Sequence, residues 1–385
     1  MRWILILFFS WATITTNAQI KYTFSGTVKD SLTGEALIGA YIIFPEAKTN
    51  CSTNAYGFFS ITLPHGNYLT RFTYLGYSPK TISLSLVSDI AEKIELQQNT
   101  VSMQEVTIRG EAPNRNVTSS EMSVQKLDIK ESRTIPVLFG EQNIMATMQL
   151  LPGVKSAGEG NSGFYVRGGA ADQNLVLLDE APVYNTSHLL GFFSVFNSDA
   201  IKDVKLYKGG IPAEYGGHLS SVMDIRMNDG NSKEFGVSGG IGLISSRLSV
   251  EGPIVKDKGS FMISARRTYA DLFLKLSADT NQNRSTLYFY DLNLKANYSL
   301  GSLDHIYVSG YFGRDVFNYG GRFGIQWGNA TSTLRWNHLF SNRLFLNSSF
   351  IFSNYNYIIS LEGANRQFDI SSVLQAFNLK DDFQY

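Results

Sequence analysis

Asp291-Leu-Asn-Leu-Lys-Ala-Asn-Tyr-Ser-Leu300 alternates without a break, with polar residues at odd positions and apolar residues at even ones. A period of two belongs to a strand, whose successive side chains point to opposite faces. The stretch therefore predicts a strand with one polar and one apolar face. Weaker alternation recurs at residues 239–251, 261–266, 306–311, 331–338 and 344–352. Turn clusters separate these runs: Pro253 to Gly259, Gly301-Ser-Leu-Asp304 and Gly320-Gly321. Alternating runs bounded by turns are the pattern of membrane-crossing strands, apolar toward lipid and polar toward a lumen. A soluble β-sandwich is the competing reading. On the membrane reading, Tyr288, Phe289, Tyr290, Tyr298, Tyr307, Tyr311, Phe312, Trp327 and Trp336 are candidates for aromatic girdles at the lipid interfaces.

The rest of the chain agrees with such a strand set. The 385 residues carry 33 Lys+Arg and 33 Asp+Glu, a net charge of zero, and charged residues make up only 17% against 13% aromatics. A neutral, charge-poor chain is a poor fit to a protein that grips phosphate backbones, so no nucleic-acid partner is read. With 43% hydrophobic residues it is not a disordered chain either. The single Cys51 excludes an internal disulfide framework and a Cys-rich zinc module. Met1-Arg2, the apolar run to Ala12 and the small-residue exit Thr16-Asn17-Ala18 read as a signal peptide over residues 1–18. No later stretch reaches about 18 consecutive apolar residues. A membrane position would therefore be taken by strands.

Residues 20–97 divide into about seven short strand-like runs with turns every 8–12 residues, the pattern of a small sandwich. Gly57 and Gly66 are expected to supply positive φ at hairpins. Gly26-Thr-Val-Lys-Asp30, Thr33-Gly-Glu-Ala-Leu-Ile-Gly-Ala-Tyr41, Asn54-Ala-Tyr-Gly-Phe-Phe59, Leu63-Pro-His-Gly-Asn-Tyr68 and Tyr74-Leu-Gly-Tyr77 resemble the carboxypeptidase regulatory-like domain. That resemblance implies an accessory module in the periplasm and no peptidase chemistry. No His-x-x-Glu pair is present and the five histidines are isolated along the chain, so zinc hydrolysis has no ligand set.

Residues 98–120 are polar and bear Pro, Gly, Asn and Ser, a linker composition. Within them Glu105-Val106-Thr107-Ile108 is a short β-prone island, suited to adding a strand to a partner's sheet edge. It resembles the TonB box of outer-membrane receptors, the segment gripped by the energy-coupling protein TonB. A last strand of the preceding sandwich is the alternative.

Residues 121–228 begin with a helical face, Ile144, Met145, Met148 and Leu151 in Gly140 to Leu151, stopped by Pro152-Gly153. Gly158-Glu-Gly-Asn-Ser-Gly163 fits G-x-G-x-x-G, but helix-like residues precede it and extended ones follow, the reverse of a dinucleotide site. Gly236-Val-Ser-Gly-Gly240 fits a nucleophile elbow but lies in an alternating Gly-rich run with no evident triad. No catalytic residue, cofactor or metal site is read, and the chain is not expected to be an enzyme. Arg167-Gly168-Gly169, Leu177-Leu178-Asp179, Ile201 to Gly209 and Tyr215-Gly216-Gly217 follow one another over about 90 residues. Together they resemble the plug domain of TonB-dependent outer-membrane receptors. The resemblance implies arginines on the plug that contact carboxylates on a barrel wall. Arg167 could do so through its planar fork, and so could His218, more weakly, where many relatives have arginine. Local bonding of Arg167 and Asp179 within the plug is the equal alternative.

Residues 229–385 then form part of an outer-membrane barrel, with room for roughly 6 to 8 strands. Plugged transporters use about 22, so the expectation is a piece of a longer receptor. The fold expected is mainly β: an N-terminal β-sandwich, an α+β plug and the first strands of an antiparallel transmembrane barrel. The function implied is TonB-energised uptake of a scarce nutrient, a metal chelate, vitamin or oligosaccharide, at the cell outer membrane. Its partners would be TonB with the inner-membrane energising complex, outer-membrane lipid, the small-molecule or oligosaccharide substrate, and a surface lipoprotein. A surface-binding or adhesion receptor that transports nothing is the alternative.

Overall fold

The computed structural model describes residues 20–99, 123–127, 143–156, 158, 163–362 and 367–385. The leader, most of the linker with Glu105–Ile108, and residues 159–162 of the Gly-rich motif lie outside the described residues. The chain folds as two compact units, one holding the seven N-terminal strands and one holding all the later strands.

The first unit is a two-layer sandwich. Its three-stranded sheet has the order β4 (Phe58–Pro64), β1 (Lys21–Asp30), β7 (Ile90–Leu96). The facing sheet runs β3 (Thr49–Ser52), β2 (Tyr41–Phe44), β5 (Gly66–Thr73), β6 (Lys80–Leu86). β1 pairs antiparallel with β4 and parallel with β7. Phe24 is fully buried at the centre, with Phe59, Phe44 and Phe72 edge-on to it at 5.2, 6.3 and 6.5 Å, the preferred aromatic arrangement. Gly26 allows the parallel pairing, because a Cβ there would collide with the Glu92 carbonyl. Gly57 has the expected positive φ of 73°. Gly66 does not: it opens β5 in ordinary strand geometry, and the other positive φ values of this unit fall at Gly39 and Gly76, and at Lys48.

The second unit begins with an α+β domain. A five-stranded mixed sheet runs β12 (Ala181–Pro182), β11 (Asn174–Leu178), β16 (Ser221–Met227), β15 (Ile201–Tyr207), β8 (Val124–Leu127). The helix α1 (Ile144–Gln149) starts at Asn143, whose side chain accepts from the Ala146 N–H at 3.0 Å, a standard N-cap. It ends before Pro152 and Gly153, the latter at φ 80°. Ile144 and Met148 join Val176, Leu178, Val204 and Ile225 in one apolar core. Two small hairpins complete the domain: β9 (Val154–Ser156) with β10 (Phe164–Val166), and β13 (Ser187–His188) with β14 (Phe193–Ser194).

An eight-stranded antiparallel meander follows in strict sequence order: β17 (Gly236–Ile241), β18 (Ser245–Val255), β19 (Gly259–Thr268), β20 (Thr286–Ser299), β21 (Asp304–Tyr319), β22 (Phe323–Leu339), β23 (Phe345–Glu362) and β24 (Gln367–Gln384). The Gly236–Gly240 motif is simply the edge strand β17. In β20 the polar odd positions Asp291, Asn293, Lys295 and Asn297 are buried, while Leu294 is 41% exposed. β21 and β22 repeat this, with Val308, Phe312, Leu334 and Trp336 outward and Ser309, Asp315, Thr333 and Arg335 inward. The sheet is polar inside and apolar outside, the reverse of a soluble sheet on its core. Phe312 and Trp336 are exposed on the outer face, but Phe289, Tyr307, Tyr311 and Trp327 are not girdle residues. They share the inward odd register of Asp291 and Asp315, and they are buried on the inner face. Among the described residues no helix is long and apolar enough to cross a membrane; this does not bear on strands.

Candidate functional site at the seam between the central domain and the sheet

The inner face of the sheet meets the α+β domain through two charged clusters. The lower one forms at the tip of the β11–β12 hairpin. Asp179 and Glu180 both have positive φ, 46° and 75°, although neither is glycine. A two-residue turn with φ > 0 at both central positions is type I′, normally Asn-Gly or Asp-Gly, and each non-glycine residue held there costs about 1–3 kcal/mol. The surroundings hold it in place. Asp179 Oδ1 accepts from the Met227 N–H at 3.1 Å, and its Oδ2 lies 3.0 Å from Lys295 Nζ on β20. Thr333 on β22 donates to the Asp179 carbonyl at 2.9 Å.

Glu180 is gripped more tightly. Arg335 on β22 lies 3.2 Å from Oε2, Arg226 on β16 lies 3.6 Å from Oε1, and Ser349 on β23 donates to Oε2 at 2.5 Å. Asn347 adds a third donor, after Arg335 and Ser349, at 3.2 Å. Burial alone would raise the Glu180 carboxyl, but Arg335 and Arg226 outweigh it and hold the group well below the usual carboxylate range. Lys295 extends the cluster, lying 3.0 Å from Asp229 Oδ1 and donating to the Met227 carbonyl at 2.9 Å.

The upper cluster lies toward the other end of the strands and centres on His188. Its Nε2 is 2.6 Å from Asp291 Oδ1 and its Nδ1 is 2.6 Å from Asp315 Oδ2. The next residue, Leu189, donates its N–H to Asp315 Oδ1 at 2.8 Å and has φ 47°. Arg266 on β19 donates through Nε to Asp291 Oδ2 at 2.7 Å and through its second nitrogen to the Ser194 carbonyl at 2.7 Å. The imidazole stacks on Phe289 at 4.0 Å and 5°. Burial would lower the His188 pKa, but Asp291 and Asp315 outweigh it and raise it to about 9.

The expected residues fall in three places. Arg167 (φ 50°), Gly168 (φ 84°) and Gly169 form a tight turn, closed by the Gly169 N–H on the Val166 carbonyl. A Cβ on Gly169 would collide with Ser220. Arg167 is exposed and donates to Ser123 Oγ at 3.2 Å within its own domain. Among the described residues its guanidinium contacts the domain's own β8 end, which is the local bonding that stood as the equal alternative to a wall contact. His218 is exposed and makes no wall contact among the described residues; the buried histidine is His188, one of the five the sequence presented as isolated. Tyr215, ahead of Gly216 and Gly217 (φ 83°), donates to Asp224 Oδ2 at 3.2 Å, with its ring 5.4 Å from Tyr207. Burial, then Asp224, push its phenol far above its ordinary value. Among the described residues two of those expected reach the sheet: Asp179 through Lys295 and Thr333, and Tyr215 through Lys380 on β24, whose ammonium lies 5.7 Å over its ring.

Residues 24–108 match the family described as CarboxypepD_reg-like domain, and residues 113–221 match the TonB-dependent Receptor Plug Domain. The curated TonB-dependent receptor P39 of Formosa agariphila is 26% identical over 247 residues, 58% of this chain and 23% of that protein. The chain carries the plug domain of a TonB-dependent receptor. The receptor also shares its fold with the siderophore receptor PirA from Acinetobacter baumannii, at a TM-score of 0.50 and 15% identity over 67% of this chain and 45% of that one. A variant of the ferric enterobactin receptor PfeA from Pseudomonas aeruginosa gives 0.51 and 14%, over 70% and 47%. At such identities the likeness is one of fold. The receptor's chain spans about a quarter of the curated relative and just under half of the solved receptors. With the family in place, the α+β domain is the plug and the meander is a partial barrel wall.

Proposed function

We propose that this receptor serves TonB-energised uptake of a scarce nutrient, a metal chelate, vitamin or oligosaccharide, at the outer membrane. The observation that supports this most is the chemistry of the seam. The plug meets the wall through buried charged contacts at Asp179, Glu180 and His188, beside smaller apolar contacts such as Leu189 and Phe193 on Phe289. Charged groups that separate can be solvated by water entering the lumen, whereas a large apolar interface could not be solvated. A plug fixed in this way is held firmly at rest and can be drawn away by a directed pull.

Short turns mark the periplasmic side of outer-membrane barrels and longer connections the outer side. The β18–β19 and β20–β21 turns would thus face the periplasm, and residues 269–285, with the short helices α2 (Asp271–Leu274) and α3 (Thr280–Asn283), the exterior. On this reading the sandwich and the docking segment Glu105–Ile108 lie in the periplasm, where TonB adds a strand to the segment. Arg167, Gly168, Gly169, Tyr215, Gly216 and Gly217 shape the plug, while Asp179 ties it to the wall. No catalytic step is part of the proposal, and a surface lipoprotein is a further partner to be tested by co-purification.

The test places a cysteine at Val106 in the native host and crosslinks it to TonB while ferric chelates, cobalamin and oligosaccharides are supplied in turn. A crosslink that strengthens with one substrate class, together with loss of that uptake when TonB is deleted, is the expected result. Uptake that persists without TonB, and no crosslink with any substrate, would overturn the proposal in favour of a binding receptor.

A further inference from the structure

Both ring nitrogens of His188 face carboxylate oxygens at 2.6 Å, Asp291 on β20 and Asp315 on β21. Ionised carboxylates only accept hydrogen bonds, so both nitrogens must donate and the ring is an imidazolium. Arg266 on β19 is the second cation of the group, paired with Asp291 and lying 4.9 Å over the Phe289 ring. Two cations and two anions close to zero net charge, and all four side chains are buried. Among the described residues, the further titratable groups that face the cluster are Tyr311 on β21, donating to Asp291 at 3.2 Å, and Tyr355 on β23, whose phenol feels the Asp315 charge. β14 contributes Phe193, whose ring lies 5.9 Å from that of Phe289, and the Ser194 carbonyl.

We propose that His188 is a proton-operated latch: the imidazolium fastens the β13–β14 hairpin of the plug to the barrel wall, and loss of its proton frees that hairpin while the Asp179–Glu180 contacts stay closed. Deprotonation gives the proton to solvent base and leaves a neutral ring with one donor. The other nitrogen then turns a lone pair toward a carboxylate, and the buried group is left with an uncompensated negative charge. Nothing equivalent happens at the lower cluster in this range, because Arg335 and Arg226 keep their charge. The pull of the two carboxylates sets the opening near pH 9, so the latch is shut at neutral pH. Alkaline titration is then a means of opening one end of the seam by itself.

The experiment uses the full chain in detergent micelles with Cys51→Ser as background. Ser194→Cys reports the upper hairpin, Ser353→Cys reports the lower cluster, where Ser353 donates to the Pro182 carbonyl at 2.6 Å, and the exposed Ala278→Cys normalises for thiolate formation. The normalised maleimide reactivity at position 194 is expected to rise about tenfold per pH unit between about pH 7 and pH 9, with position 353 flat. In a His188→Gln background, reactivity at position 194 is expected to be high already at neutral pH and independent of pH. A flat profile at position 194 with native His188 would overturn the latch, and this arm needs no variant at position 188. An equal rise at position 353 would overturn its independence. The assay contains neither TonB nor substrate, so its failure leaves the uptake proposal standing, and failure of uptake leaves the latch standing.

Discussion

At Asp179 and Glu180 two adjacent side chains are held in left-handed backbone conformations by contacts from β16, β20, β22 and β23. The backbone strain there is set against several charge-assisted hydrogen bonds, which individually outweigh neutral ones. Removing one partner of a buried pair leaves the other charged and dry, at a cost of about 3–5 kcal/mol. Glu180→Gln leaves Arg335 without its carboxylate while Arg226 keeps Asp224 at 3.1 Å, so the lower end of that range, about 3 kcal/mol, is expected in denaturant unfolding of the second unit. Asp179→Asn is the milder change. Asparagine tolerates the left-handed region and its carbonyl oxygen can still accept from Met227, so only the Lys295 attraction is lost and about 1–2 kcal/mol is expected. If Glu180→Gln proves no more costly than Asp179→Asn, the two arginines are solvated in the folded state and the lower cluster is not a dry lock.

At the level of elements, the strand Thr286–Ser299 makes the membrane reading testable. Leu294 is on the outer face near mid-strand, flanked by the inward Asn293 and Lys295. If that face meets lipid, Leu294→Arg should destabilise the wall by about 2–4 kcal/mol in phospholipid vesicles. On a solvated face the same change should stay within about 0.5 kcal/mol. Unfolding titrations of the folded chain in vesicles distinguish the two. The phase of this strand was legible because Asp291 to Leu300 alternates without interruption, and the sandwich was legible because its turns recur at short intervals. Phe289 fits an aromatic girdle by residue type but not by phase. Phe289 is two residues before Asp291 and so on the inward face, where it serves as the platform under His188. The seam itself was hardly legible. His188 lies 103 residues from Asp291 and 127 from Asp315, and no local period links groups so far apart. Asp179 could be singled out, but its partner Lys295 reads as one more polar residue of an alternating strand.

On the scale of the whole plug and wall, the two clusters titrate in opposite directions. Glu180 has its pKa depressed by Arg335 and Arg226, so its contribution to stability is complete above the unfolded glutamate value, about 4.3, and fades as pH falls below it. His188 has its pKa raised to about 9 by Asp291 and Asp315. Its contribution is complete below the unfolded histidine value, about 6.5, and is lost as pH rises through about 9. A raised pKa of that size corresponds to a contribution on the order of 3 kcal/mol. Stability of the second unit should therefore form a plateau between about pH 5 and pH 6.5 and decline on both sides. Trp327 gives the readout, since its indole N–H lies 3.5 Å from the Ser187 carbonyl, one residue from His188. Denaturant midpoints followed by that fluorescence across the pH range should show a shallower acid limb in Glu180→Gln, where other paired carboxylates of the unit still contribute, and lose their alkaline limb in His188→Gln. The two losses should add in the double variant, because the clusters share no partner and sit on different stretches of the wall strands. Loss of both limbs from either single change would mean that the seam opens as one unit, and that the plug cannot be freed at one end while it is held at the other.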